Sequence, residues 1–456
     1  MKLNKYLLMA AMGLGFVACT ENDLVEGGDS NGAQNEGTTY VGFSLKFNAS
    51  NTRATGEEDG TAAEQNIKTA YVLMADASGN VEQIVSTVDK GTGTSNTNTN
   101  YYVFQTTAGV HYFYAVVNPD VIPTKEGENA TAKTIDAYFN TGVTLTVANI
   151  TSTADGGNFM MAGENVLTAD VEDGVTKDEA LKGTKNCFAI NVERVAAKVT
   201  MTCENTTLTN ANNNAGGTIT TPKFTLKGGA AKSYRMAQNP FTDITGNTWT
   251  YTSNASGTEV YVKDGEETDL HEKATPVYCL ENLHDAETGY KQGNTTYLTL
   301  KTTFKPANVV DCADDVKPLK TNTLAAGAPF YVVQTGSLAG NYLMKTDLEN
   351  YQKLEGNTDK LPAGVESISG EYQNGVCWFG PIWINETEET SDQSTVTTSP
   401  VVRNTWYNLK ITGITLPGEP SEPQIDPEQP LTPATNVAIT LSVMPWNFIN
   451  RDINLQ

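Results

Sequence analysis

The sequence predicts an all-β protein of two tandem β-sandwich domains. Three observations predict it: short runs of alternating apolar and polar residues, turn punctuation between them, and a Thr-, Asn- and Gly-rich composition. Alternation is the signature of a half-buried strand, because successive side chains point to opposite faces. Thr suits strands, while Asn and Gly suit turns. Hydrophobic residues make up 39% and charged residues 18% of the 456 residues. The chain can therefore bury a core, and its length allows two or three domains.

At the N-terminus, Lys2 and Lys5 precede an apolar run from Tyr6 to Val17, followed by Ala18-Cys19. The run falls short of the roughly 20 residues of a membrane-spanning helix. Charge, apolar core and small residue in that order predict a signal peptide over 1–18. Phe16-Val17-Ala18-Cys19 is similar to a lipobox, which would make Cys19 a diacylated (palmitate-bearing) N-terminal residue; the alternative is an ordinary cleaved signal with an incidental Cys. The Gly-, Asn- and Ser-rich stretch 19–37 cannot bury a core and reads as a flexible tether.

A first sandwich is expected over 38–186. Its first strand, 39–47, presents Val41, Phe43, Leu45 and Phe47 in alternation with Gly42, Ser44 and Lys46. Further strands are expected at Lys68–Met74, Tyr101–Gln105, Val110–Val117, Val143–Val147 and Asn158–Met161, with a short helix in Asn129–Phe139. A second sandwich is expected over 187–416, with strands at Phe188–Asn191, Ala196–Thr202, Lys223–Leu226, Glu259–Val262, Pro276–Leu280, Thr296–Phe304, Phe330–Gln334, Gly375–Ile384 and Trp406–Ile411. Lys305–Asn322, with Asp311, Asp314 and Asp315, reads as a loop.

Prolines at 417, 420, 423, 427, 430 and 433 favour a stiff polyproline II spacer over 417–433. Beyond it, 434–456 holds a second alternating set, Val437, Ile439, Leu441 and Val443, then Trp446, Phe448, Ile453 and Leu455. A long spacer suits a strand destined for another chain. The alternative is a strand that crosses its own domain to pair on the far side.

Composition excludes several classes. A net charge of −23 rules out phosphate-based nucleic-acid binding. Six cysteines (Cys19, Cys187, Cys203, Cys279, Cys312 and Cys377) contain no C-x-x-C pair, which argues against zinc and a dense disulfide framework. Cys187, Cys203, Cys279 and Cys377 lie in strand-like runs and read as small core residues. The three histidines, His111, His271 and His284, show no metal-ligand spacing, and no P-loop, nucleophile elbow or dinucleotide fingerprint occurs. No cofactor, metal or catalytic residue is expected, and the protein reads as a non-enzyme. Arg53, in Ser50-Asn51-Thr52-Arg53-Ala54-Thr55-Gly56, is the one basic residue between Lys46 and Lys68. Small polar flanks make that loop a setting for proteolysis, or else an ordinary loop arginine.

These residues resemble a family. The lipobox at Cys19, the Arg53-Ala54 loop, Gly109–Pro119, the domain-joining Glu193-Arg194-Val195-Ala196-Ala197-Lys198-Val199, Pro276–Asn282, Gly375–Trp378 and Val402–Tyr407 occur in the order found in the fimbrillin family of type V pili, the fimbrial subunits of Bacteroidia. The resemblance spans essentially the whole chain. It implies transthyretin-like sandwiches with Greek-key-type connections and a lipoprotein precursor anchored in the outer membrane. It implies cleavage by an arginine-specific protease between Arg53 and Ala54, loss of the first strand (Val41, Phe43, Leu45, Phe47), and its replacement by the C-terminal strand of another subunit. Implied partners are other copies of the chain, other fimbrial subunits, the protease and a host or bacterial surface receptor, in a surface fimbrium serving adhesion and biofilm formation. Stalk subunit, tip adhesin or glycan-binding module, and uncut membrane-anchored protein all remain open. Four such side chains buried in exchange could contribute roughly 6–12 kcal/mol, an upper estimate.

Overall fold

Apolar alternation becomes hydrogen-bonded ladder from the first described residue onward. The computed structural model describes residues 38–47, 58–86, 94–95, 102–127, 130–141, 143–145, 147–152, 158–203, 207–208, 216–250, 260–261, 263–264, 275–389, 392–432 and 437–447. Cys19, Arg53, Ala54, His271, Phe448, Ile453 and Leu455 lie outside them, as do the side chains of Phe47, Cys203, Val437, Ile439, Leu441, Val443 and Trp446. The protein is all-β, with strands dominating and few short helices.

The N-terminal half contains β1 (Thr38–Phe47), β2 (Glu58–Asp59), β3 (Ala70–Ala75), β4 (Val81–Ser86), β5 (Thr94–Ser95), β6 (Tyr102–Thr107), β7 (Gly109–Val117), β8 (Met161–Gly163), β9 (Leu167–Val171) and β10 (Cys187–Arg194). Among the described residues all but β2 join one sheet in the order β4-β3-β7-β8-β10-β1-β6-β5, with β9 also on β7. Phe43 of β1 and Phe113 of β7 have ring centroids 4.6 Å apart. Yet β8 and β10 stand between them in the ladder. At about 4.8 Å per strand, a flat sheet would hold them roughly 14 Å apart. The sheet therefore folds back on itself around a core that includes Val41, Phe43, Leu45, Phe104, Phe113, Ile190 and Val192.

The C-terminal half adds β11 (Ala196–Cys203), β12 (Gly217–Lys227), β13 (Val277–Leu280), β14 (Tyr297–Pro306), β15 (Val376–Trp383), β16 (Thr405–Ile414) and β17 (Val437–Asn447). One sheet runs β2-β17-β16-β11, with β13 also on β11; another runs β12-β14-β15. Val199, Phe224, Leu300, Phe379 and Leu409, drawn from both, share a second core.

The expected boundary at residue 187 falls at the start of β10, which the first sheet contains. The change of core comes at Val195–Ala197: Val195 and Ala196 pack in the first core, Ala197 in the second. Alternation marks a strand but not the sheet it joins. The stretch expected as a loop, 305–322, holds a short antiparallel pair, Asn308–Val310 with Leu319–Thr321. Its turn carries the acidic residues, so the polar composition hid two short strands. The expected helix is one turn, Ile135–Tyr138, with the Thr134 hydroxyl accepting from the Ala137 N–H.

Candidate functional site

β1 is a central strand. It pairs in parallel with β10 and antiparallel with β6. Val41, Phe43 and Leu45 are 0%, 1% and 2% exposed. The Phe43 ring lies 5.6 Å from Phe104, 4.6 Å from Phe113 and 5.8 Å from Phe188, centroid to centroid. Sequence reasoning did not find what covers the opposite face. Helix α1 (Lys177–Lys182) sits there, with Val103, Val175 and Ala180 in a small cluster of their own. Its start is a capping box. Thr176 accepts from the Glu179 N–H, and the Glu179 carboxylate accepts from the Thr176 N–H. The Thr-x-x-Glu spacing is a legible signal for such a start.

The last strand, β17, pairs antiparallel with β16 from Ile414↔Val437 to Thr405↔Pro445. At its far end Trp446 and Asn447 pair with Glu58 and Asp59 of β2. Within one chain the strand therefore closes a hairpin whose connection is 415–436. The proline-rich part of that connection is bound to the body, which corrects its reading as a bare spacer. Glu419 and Trp378 exchange backbone hydrogen bonds of 2.9 and 2.7 Å, and the Tyr372 hydroxyl donates to Gly418 O. Lys227 pairs with Glu422. The Gln292 and Gly293 N–H groups donate to Gln429 O and Pro427 O. The Trp383 indole donates to Thr432 O at 2.7 Å, and Leu431 is buried beside Tyr297 and Trp383. Proline leaves carbonyls without a local partner, and these donors satisfy them. Gly418 is required here, since a Cβ would sit 1.9 Å from Trp378 O.

The motif residues of the second half meet in a buried polar junction between the two cores. Glu64 is fully buried; its carboxylate accepts from Lys198 Nζ (3.0 Å) and the Tyr278 hydroxyl (2.7 Å). Arg194 Nε donates to Glu64 O at 3.0 Å, and Lys198 Nζ stands 3.8 Å from the Trp406 ring centroid. Burial pushes the Glu64 carboxyl up, but Lys198, the Tyr278 hydroxyl and the Thr61 N–H outweigh it and hold it below the ordinary value. Nearby, Arg403 grips Glu281 through two bonds of 3.1 and 3.0 Å and donates to Tyr234 O. Arg235 grips Asp120 in the same way, at 2.7 and 2.9 Å. The sequence signal was present: charged residues inside apolar strand runs, at 193–198 and 402–407.

Glu193 belongs to this junction and yields a pH prediction. Burial pushes its carboxyl up to about 7 from an ordinary 4.5; Arg403, 4.0 Å away, pulls the other way, and Glu281 and Glu164 add to the rise. The folded value exceeds the unfolded one, so the native state binds more protons between these values. Stability then falls as pH rises from 4.5 through 7. Glu193→Gln is expected to remove that fall, adding at most about 3 kcal/mol at alkaline pH and little in acid. Urea unfolding of both proteins at the two ends of this range checks it; an equal effect at both would refute the assignment.

Two of the histidines are tied into hydrogen bonds of the fold. His111 lies between Glu82 (2.9 Å) and Thr107 O (3.0 Å), and His284 between Asp243 (2.7 Å) and Asn294 O (3.0 Å). Among the described residues no group of three or more His, Cys, Asp or Glu is placed to hold a metal. Cys187, Cys279, Cys312 and Cys377 are free thiols, and burial pushes Cys279 up to about 12.

Residues 370–452, which take in β15, β16, the proline strap and β17, match the family model described as "Major fimbrial subunit protein type IV, Fimbrillin, C-terminal". In this region the chain is similar to the C-terminal part of fimbrillins. The fimbrillin match thus covers the last strand and the strap that precedes it. No curated protein matches this chain. Similar solved structures include a fimbrilin from Porphyromonas gingivalis W83, 17% identical over 91% of this chain and 99% of that one, with a TM-score of 0.45. Another is the tip fimbrial protein Mfa3 from Porphyromonas gingivalis with C-terminal truncation, 13% identical over 90% of this chain and 100% of that one, with a TM-score of 0.41. A fimbrillin is a fimbrial subunit, and fimbriae are cell-surface appendages.

Proposed function

We propose that this chain is a fimbrillin, a structural subunit that polymerises into surface fimbriae by protease-triggered strand exchange. The observation that carries this is the position of β1: a central strand, buried on both faces over Val41–Leu45, that precedes Arg53 in the sequence. Cleavage between Arg53 and Ala54 would free the body of the protein from the outer membrane and part it from β1, the tether and the lipid at Cys19. Its departure would open the edges of β6 and β10 and expose the pocket that held Val41, Phe43 and Leu45. An exposed apolar slot with two unpaired edges takes up a strand. The C-terminal strand of another copy supplies Val437, Ile439, Leu441 and Val443 at the same period.

The ladders at the two places are of similar length. Among the described residues of its own chain β17 pairs with β16 along its length and with two residues of β2. In the β1 slot a strand has two long neighbours, β10 and β6. The drive for exchange is then the apolar slot and the two open edges that β1 would leave, where each ladder bond formed contributes about 0.5–1.5 kcal/mol net. The contact is head-to-tail and does not close, so it builds a filament. Adhesion and biofilm formation follow from the filament, with a tip subunit, an uncut anchored protein or a receptor-binding module as the competing roles.

The test is cleavage of the full chain with an arginine-specific protease, beside Arg53→Ala and a truncation after Pro433. Wild type is expected to lose its N-terminal piece and form ladders that resist mild SDS; both variants should remain monomeric. Ladders from either variant, or cleavage elsewhere, refute the exchange. An Arg53→Ala chain that stays membrane-bound while wild type is cut but never polymerises would favour the anchored role.

A further inference from the structure

The slot that β1 occupies specifies which residues can fill it. Along the edge that continues β10, the segment leading into and out of α1 grips the first half of the strand. Thr39 is fully buried, and its Oγ1 accepts from the Val175 N–H at 2.9 Å and from Asn186 Nδ2 at 3.3 Å. The Tyr40 N–H donates to Val175 O at 3.1 Å, and Asn186 Nδ2 donates to Tyr40 O at 3.0 Å. The Gly42 N–H donates to Asn186 O at 2.8 Å. Asn186 is itself fixed, exchanging side-chain bonds of 2.9 Å each with the backbone of Glu172. Above Gly42 lies the end of α1: a Cβ at that position would stand 2.8 Å from Ala180 O.

An occupant must therefore meet five conditions. It needs a hydroxyl at the Thr39 position and apolar side chains at 41, 43 and 45. At 42 it needs a small residue that keeps its N–H, and at the buried Ser44 position another small residue. The stretch Thr435-Asn436-Val437-Ala438-Ile439-Thr440-Leu441-Ser442-Val443 meets them when laid on Thr39-Tyr40-Val41-Gly42-Phe43-Ser44-Leu45-Lys46-Phe47. Thr, Val and Leu are identical at the three positions that count most, with Ala for Gly and Thr for Ser. Sliding the strand by two residues puts Val437 against Val175 and Asn186, leaving their donors unmet, and sets branched Thr440 against Ala180. Placing Met444, Trp446 and Phe448 inward puts Pro445 at position 42, where it has no N–H for Asn186 O. Ile449 inward brings Arg451 into the core.

We propose that Thr435–Val443 of one copy occupies the Thr39–Phe47 slot of the next, in the same direction, with Thr435 on Val175 and Asn186 and Ala438 beneath Ala180. This rests on the strand-exchange reading and adds its register, the acceptor residues that set it and the part of the C-terminal segment that enters. Ala438 would stand 2.8 Å from a backbone carbonyl, closer than such contacts allow, so the α1 end must shift to admit it. Ala438→Gly removes that contact and should make the ladders more resistant to heat.

A native thiol reads the register. Gly42 stands beside Cys187 in the parallel ladder, and Cys187 Sγ points at the same Ala180 O, 3.1 Å away. Neighbouring strands lie about 4.8 Å apart, within the Cα range of a disulfide. In cleaved, oxidised full-length protein, Ala438→Cys is expected to give reducible cross-links between copies. These should vanish with Cys187→Ser and be absent from Thr440→Cys and Ser442→Cys. Ladders cross-linked from Thr440→Cys or Ser442→Cys instead would overturn the register and leave strand exchange standing. Wild type that forms no ladder overturns both. If Ala438→Cys does not assemble, Thr435 decides: Thr435→Val should cut ladder yield about tenfold or more by leaving the Val175 donor unmet, while Thr435→Ser retains it. Equal yields from these two variants reject the proposal.

Discussion

Glu64→Ala is expected to destabilise the chain by about 3–5 kcal/mol, the usual loss when one partner of a buried ion pair is removed. Glu64 and Lys198 are 0% and 3% exposed at their side chains. Truncating the glutamate leaves the Lys198 ammonium buried, with the Trp406 ring beneath it. It also removes the acceptor of the Tyr278 hydroxyl. The same residue lines the seam between the two cores, so the damage should reach both. Urea unfolding of the full chain measures the loss. Glu64→Ala with Lys198→Met should recover a large part of it, because replacing both partners by apolar groups is nearly neutral. A loss under about 1 kcal/mol, typical of an exposed pair, would show that the junction does not hold the cores together.

Phe43→Ala is expected to cost about 3–5 kcal/mol in the uncut chain and nothing in the mature subunit. The first part follows from the cavity left among Phe104, Phe113 and Phe188. The second follows from the proposed loss of β1 on cleavage: a strand that has gone cannot destabilise what remains. Thermal unfolding of wild type and variant, before and after arginine-specific cleavage and separation, checks both parts. A difference that survives cleavage would mean that β1 stays in its slot.

The strands that this second prediction concerns were legible from period two alone. Val41, Phe43 and Leu45 alternate with Gly42 and Ser44, and the three apolar side chains are buried as that alternation predicts. It was not legible that the Gly42 face would be covered too. A helix packs there because Gly42 and Ser44 are small enough to admit it, and smallness on a polar face reads as solvent exposure. The proline strap was legible as extended chain but not as bound chain. The donors that hold it, Gln292, Gly293 and Trp383, are far away in sequence.

What the sequence by itself determined is the class of the fold, the positions of most strands, the absence of recognisable catalytic spacings and the matched periods of the first and last strands. These are local properties, set by side-chain alternation and turn chemistry. What only the tertiary structure decided is pairing: that β10 joins the first sheet, that β17 lies on β16 within its own chain, and that Glu64 meets Lys198 and Tyr278. An alternating strand carries a buried face and two open edges, and nothing in its own residues names the neighbours that will fill them.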